Sequence, residues 1–187
     1  MNMMIKKLSI LLLSLWLLII PFWGQQKKAV VKAEEYNVKI AFIKKFFDFI
    51  KWPSDNSASG QFIFGIIGNT PFNDQMEKLS KKISIPNKTV LIKPIADLDL
   101  AQVKECHVLI IGNIDAEQLK EILAIIGNQP ILSISDTEGF AEIGVLINFF
   151  KAENNVKFEI NYSAVKKSGL TFSSKLYKLA RLIDHSR

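Results

Sequence analysis

The sequence predicts an α/β fold: one three-layer domain with a mixed six-stranded sheet, a C-terminal antiparallel hairpin and helices on both faces. Three observations carry this. Between residues 61 and 135 short apolar runs alternate with segments of helical period, the pattern of successive β-α units. After Asp136 the pattern changes to a nearly continuous apolar run followed by a strictly alternating one, as expected of a hairpin at one end of a sheet. The chain has 187 residues, 49% of them hydrophobic and 22% charged, enough for one sizeable core and too few for two large domains.

Residues 34–51 open the domain. Tyr36, Ile40, Ile43, Phe47 and Ile50 recur at helical spacing, with Phe42, Phe46 and Phe49 as a second stripe beside them. A helix apolar over so wide an arc packs against more than one neighbour, as core or as a dimer seam. Trp52-Pro53 ends it, because proline pushes the residue before it out of the α region. Strands are expected at 61–67, 88–93, 107–111 and 130–135. Helices fall between them: one from the Thr70 N-cap and Pro71 to about Lys82, a short one at 97–103, and one from the Asp115 N-cap to about Ile126. Residues 143–150 read as a strand covered on both faces. Val156, Phe158 and Ile160 alternate with Lys157, Glu159 and Asn161, which reads as a half-exposed strand. Helical sequence resumes at 162–168, stops at Gly169, and returns at 173–184.

The N-terminal segment is an address rather than part of the fold. Lys6 and Lys7 precede a charge-free run, residues 8–23, which is shorter than the roughly 20 apolar residues that span a bilayer comfortably. This is the layout of a secretory signal. Cleavage after Ala33 divides the chain into a leader, 1–33, and a domain, 34–187; cleavage after Gly24 and retention as an anchor are the alternatives. All three place the domain outside the cytoplasm. The formal net charge of +6 belongs to the leader, which holds five lysines and no acid; from Glu34 onward 19 basic residues face 18 acidic ones. Nucleic acid is therefore not expected as a partner.

Chemistry-bearing patterns are sparse. The sequence shows no nucleophile elbow, Walker loop or paired-histidine metal helix, so no catalytic residue, metal site or cofactor is assigned. His107 enters a core strand and His185 lies near the chain end. Cys106 is the sole cysteine, so no intrachain disulfide can form, and its apolar surroundings suit a buried thiol. The loops after the first, third and fourth strands stand out. If those strands are parallel, Asn69, Thr70, Asn113, Asp136, Thr137 and Glu138 gather at the carboxyl edge of the sheet, where open α/β folds bind small polar ligands. Helix capping and turn formation account for the same residue types.

Several segments taken in order resemble the YfiR family of secreted bacterial proteins: Val38 to Phe49 with Trp52-Pro53, Phe64 to Phe72, Cys106 to Ile111, Ile134-Ser135-Asp136 with Gly139-Phe140-Ala141, Ile147-Asn148-Phe149, Val156 to Asn161, and Gly169-Leu170 with Ser173 to Leu176. The resemblance implies a periplasmic regulator, often a homodimer, that restrains an inner-membrane diguanylate cyclase and so lowers cyclic di-GMP and biofilm output. A sensor domain that binds a small molecule and acts on a histidine kinase or other receptor is the alternative. Cys106 resembles a cysteine that some relatives pair in a disulfide, but the strand 62–67 supplies no partner here. Lys157, Glu159 and Asn161 share the expected outward face of the last strand, and the matching Phe-Glu-Ile-Asn segment marks Glu159 as a candidate contact with the restrained protein. A solvated strand face is the alternative.

Overall fold

A computed structural model describes residues 20–53, 60–96 and 99–184. Residues 1–19, most of the apolar run of the leader, lie outside the described residues. The chain divides into two compact units, the second running Val38–Arg187. Its elements are α1 (Ile20–Phe46, which begins in the first unit), β1 (Ile50–Lys51), β2 (Gln61–Ile67), a 3₁₀ turn (Asn73–Gln75), α2 (Met76–Lys82), β3 (Thr89–Ile95), α3 (Leu100–Lys104), β4 (Val108–Ile111), α4 (Ala116–Ile126), β5 (Leu132–Ser135), α5 (Phe140–Ile143), β6 (Ile147–Ala152), β7 (Asn155–Asn161), α6 (Tyr162–Lys167), β8 (Thr171–Phe172), α7 (Ser174–Leu179) and β9 (Arg181–Ile183). Among the described residues no helix is long and apolar enough to cross a membrane.

The main sheet has seven strands in the order β3-β2-β4-β5-β6-β7-β9. β3, β2, β4, β5 and β6 are parallel, β7 runs antiparallel to β6, and β9 is parallel to β7. The mixed α/β sheet and its terminal hairpin match expectation, with one strand more than the six expected. The extra strand lies where a helix over 173–184 was expected. Ser173 does cap a helix, its hydroxyl accepting the Leu176 N–H, but Ala180 turns extended and Arg181–Ile183 joins the edge of β7. At the opposite edge β3 carries Pro94, which blunts an exposed strand by removing a donor.

Two apolar layers hold the sheet. On one face α1 lays Phe42 and Phe46 against Phe149 and Phe158, with ring centroids 5.1–6.3 Å apart, while Phe47 packs on Phe62 and Phe64. The second aromatic stripe is thus core at Phe42 and Phe46. On the other face Ile63, Ile67, Leu109 and Ile111 meet Val103, Leu119, Ile122 and Ile126 of α3 and α4. A two-stranded sheet, β1 with β8, ties the end of α1 to the C-terminal region through Ile50 and Phe172.

Candidate functional site

The carboxyl edge forms as the loop residues predicted. Ile67 and Ile111 are register partners, as are Ile111 and Ser135, so the three loops leave the sheet side by side. The first two are zipped together: the Asn113 N–H donates to the Asn69 carbonyl at 3.0 Å and the Gly112 N–H to the Ile67 carbonyl at 2.8 Å. A Cβ on Gly112 would stand 2.7 Å from the Asn69 carbonyl oxygen, so only glycine permits this approach. Asn69 and Asn113 are exposed. Thr70 is buried, and its role differs from the expected α-helix cap. Its hydroxyl accepts the Phe72 N–H at 3.3 Å and its carbonyl accepts the Asn73 N–H at 3.1 Å, because burial of Phe72 winds the chain into a 3₁₀ turn before α2 begins.

The third loop is held from above and below. Lys39 of α1 places its Nζ 2.6 Å from Asp136 Oδ2, with the two side chains 5% and 14% exposed. An ammonium so buried is stable only with such a partner. Thr137 donates its N–H to Ser135 Oγ at 3.2 Å, and its carbonyl accepts from Asn148 Nδ2 at 3.0 Å. Glu138 is exposed. Lys39 escaped the sequence reading, although one signal was present: it lies four residues before Ile43, on the apolar side of the helix, where a lysine needs a counter-charge.

A polar row crosses four strands of the sheet below this loop. Ser135, Asn148, Glu159 and Arg181 are successive register partners on β5, β6, β7 and β9. Asn148 Nδ2 also donates to Glu159 Oε1 at 3.2 Å, and Arg181 donates to Glu159 Oε2 through Nε at 2.9 Å and through Nη2. The Arg181 guanidinium lies 3.9 Å over the Phe150 ring. Asn148 Oδ1 is buried and has no hydrogen-bond partner among the described residues.

This row corrects the expected outward face of β7. Lys157 is exposed, but Glu159 is 2% and Asn161 4% exposed. β9 pairs along the edge of β7, and the crossover of residues 137–145 reaches this face of β7 at Ala141. Asn161 fastens that crossover: its Nδ2 donates to the Ala141 carbonyl at 2.8 Å while its Oδ1 accepts the Ala164 N–H at 2.8 Å, capping α6. Beside it opens a cavity of about 360 Å³, lined by Ser133, Leu146 and Asn161 from the sheet region, Leu123 from α4, and Ser163 and Lys167 from α6.

The remaining candidates serve packing. Cys106 is buried, its Sγ donating to the Gln102 carbonyl at 3.3 Å, and burial above all, with the Glu105 charge, pushes its pKa up to about 11. Such a thiol is a poor nucleophile. His107 stacks on Phe62 at 4.4 Å and accepts the Ile63 N–H on Nδ1 at 3.1 Å. Among the described residues no three His, Cys, Asp or Glu side chains gather as metal ligands.

Residues 36–181 match the sequence model of a family described as YfiR/HmsC-like. Solved structures share the fold, and two of them illustrate the likeness. One is the ABC domain in complex with L-Trp from Streptococcus pneumonia, with a TM-score of 0.50, 11% identity, and coverage of 65% of this chain and 55% of that one. The other is a conserved domain protein from Vibrio cholerae O1 biovar eltor, with a TM-score of 0.52, 14% identity, and coverage of 79% and 59%. The chain spans less than two thirds of either, and at such identities the likeness concerns the fold alone.

Proposed function

The chain belongs to the YfiR/HmsC-like family, and we propose that it is a periplasmic negative regulator that binds the periplasmic part of an inner-membrane signalling protein, a diguanylate cyclase, and so lowers cyclic di-GMP output. The observation that carries this reading is the extent of the family match, residues 36–181, which takes in nearly all of the compact unit Val38–Arg187. The polar side chains support a binding role rather than a chemical one. Asp136, Asn148, Glu159 and Asn161 are engaged with Lys39, with backbone carbonyls, with one another and with Arg181. They order the sheet and its crossover, and a partner then meets the surfaces they hold in place. Of the three β7 residues expected at that contact, Lys157 is the exposed one and the one assigned here. Retention of a membrane cyclase on the immobilised full chain, with loss on Lys157→Glu, supports this reading; equal retention clears Lys157, and no retention of any membrane signalling protein refutes the regulator.

The cavity beside Asn161 favours a second reading, a sensor whose bound small molecule changes its fit to a histidine kinase or other receptor. The exposed carboxyl-edge groups, Asn69, Asn113 and Glu138, are the alternative place for a small polar ligand. Thermal-shift screening with nucleotides and amino acids tests this: a ligand at 100 times its Kd stabilises by about 2.7 kcal/mol, and no shift with any compound rejects it.

A further inference from the structure

We propose that the surface built by α6, α7 and β9 docks peripherally on a membrane leaflet rich in anionic lipid headgroups. The near balance of charge from Glu34 onward conceals a local excess. Between Glu159 and Asp184 the chain holds Lys166, Lys167, Lys175, Lys178 and Arg181 and no acid. The fold brings α6 and α7, which carry the four lysines, side by side. Tyr162 of α6 meets Tyr177 of α7 edge to face at 5.4 Å, and Lys166 Nζ lies 4.2 Å from the Tyr162 ring centre. Glu159 neutralises Arg181, which leaves four exposed lysines; the acids near the surface include Asp184, which accepts from Ser163 at 2.5 Å, and Glu142, which lines the same cavity as Lys167.

The same segment carries the two most exposed large hydrophobic residues among those described, Leu179 at 67% and Leu182 at 49%. Leu182 is the register partner of Ile160, so it extends the apolar row of Ile134, Ile147 and Ile160 to the open edge of the sheet. A protein-binding surface centres on a desolvated patch with aromatic anchors. Two separate leucines among long, flexible lysines are instead the pattern of an interfacial segment, in which the apolar tips enter the headgroup region and the ammonium groups meet lipid phosphates. Vesicle binding does not depend on which signalling protein the chain restrains, so the two readings fail separately.

The test places an environment-sensitive fluorophore at position 179, in full chain carrying Leu179→Cys and Cys106→Ala, and adds vesicles of phosphatidylglycerol with phosphatidylethanolamine. The expected result is a blue shift that neutral phosphatidylcholine vesicles do not produce and that high salt reverses. Lys175→Glu with Lys178→Glu weakens the vesicle affinity by about tenfold or more. A label at exposed Glu117 on α4, which stays unshifted, separates docking of this surface from insertion of the leader. No shift at 179 with anionic vesicles, an equal shift with neutral ones, or a shift with polyglutamate but not with vesicles overturns the proposal.

Discussion

Asn161 was a candidate for partner contact in the sequence and is a structural clamp in the fold, and its replacement separates the two roles. Asn161→Ala removes the α6 cap, worth about 1 kcal/mol. It also strips the Ala141 carbonyl of its 2.8 Å donor, which costs about 1–3 kcal/mol for a buried group. The expected loss is about 3 kcal/mol. For a unit of this size that lowers Tm by roughly 9 °C. Asn161→Asp divides the terms, because the carboxylate keeps the acceptor for the Ala164 N–H but presents an oxygen to the Ala141 carbonyl. Burial and that repulsion raise the new carboxyl above its unfolded pKa of about 3.9, so the folded state binds the extra proton. The Asp variant therefore gains on wild type as pH falls from 7 towards 4, where a protonated carboxyl can donate to Ala141. Thermal and urea denaturation at both pH values measure this. A cost for Asn161→Ala below about 0.5 kcal/mol, or an Asp variant that tracks wild type across pH, would refute the clamp.

Other parts of the fold yield further expectations. Arg181→Ala leaves the 2% exposed Glu159 carboxylate without its guanidinium and destabilises by about 2 kcal/mol; adding Glu159→Gln recovers part of the loss in a double-mutant cycle, whereas strict additivity would show that the pair is not coupled. The Cys106 thiol, with its pKa raised from 9.0 to about 11, reacts with iodoacetamide at pH 8 about a hundredfold more slowly in folded than in urea-unfolded protein; comparable rates would contradict its burial. Because the folded state holds that proton more tightly, stability falls as pH rises from 9 to 11, and Cys106→Ala removes this contribution, as Tm against pH will show. Gly112→Ala forces a Cβ to within 2.7 Å of the Asn69 carbonyl oxygen, so it destabilises by about 1–3 kcal/mol and speeds hydrogen exchange at the Asn113 amide; unchanged exchange would mean the loop yields freely.

Periodicity proved good at finding strands and poor at saying what covers them. β2 falls at 61–67 as read, and the Asp115 cap closes a full capping box with Gln118. The alternation of β7 placed Lys157, Glu159 and Asn161 on one face correctly. It could not show that β9 would add beside them, because the segment forming β9 follows a genuine helix cap at Ser173 and carries no turn residue of its own. The pairing depends on a tertiary event, the meeting of Arg181 with Glu159. The carboxyl-edge loops were legible because cap and turn residues announce themselves locally. Lys39 was not, since its counter-charge, Asp136, lies 97 residues away in the chain. Asn148 interrupts an apolar run, a signal that something polar must face it, but its partners Thr137 and Glu159 emerge only from register.

In the proposed function the chain acts from outside the inner membrane by restraining a cyclase. This role is tested most directly by exporting the full chain in a host that lacks its own regulator of this family and keeps the cyclase, then measuring intracellular cyclic di-GMP. The level is expected to fall towards that of the undeleted host, and the fall is abolished when residues 1–33 are removed and the protein stays in the cytoplasm. An unchanged level with properly exported, folded protein, or an equal fall from the cytoplasmic form, would contradict it.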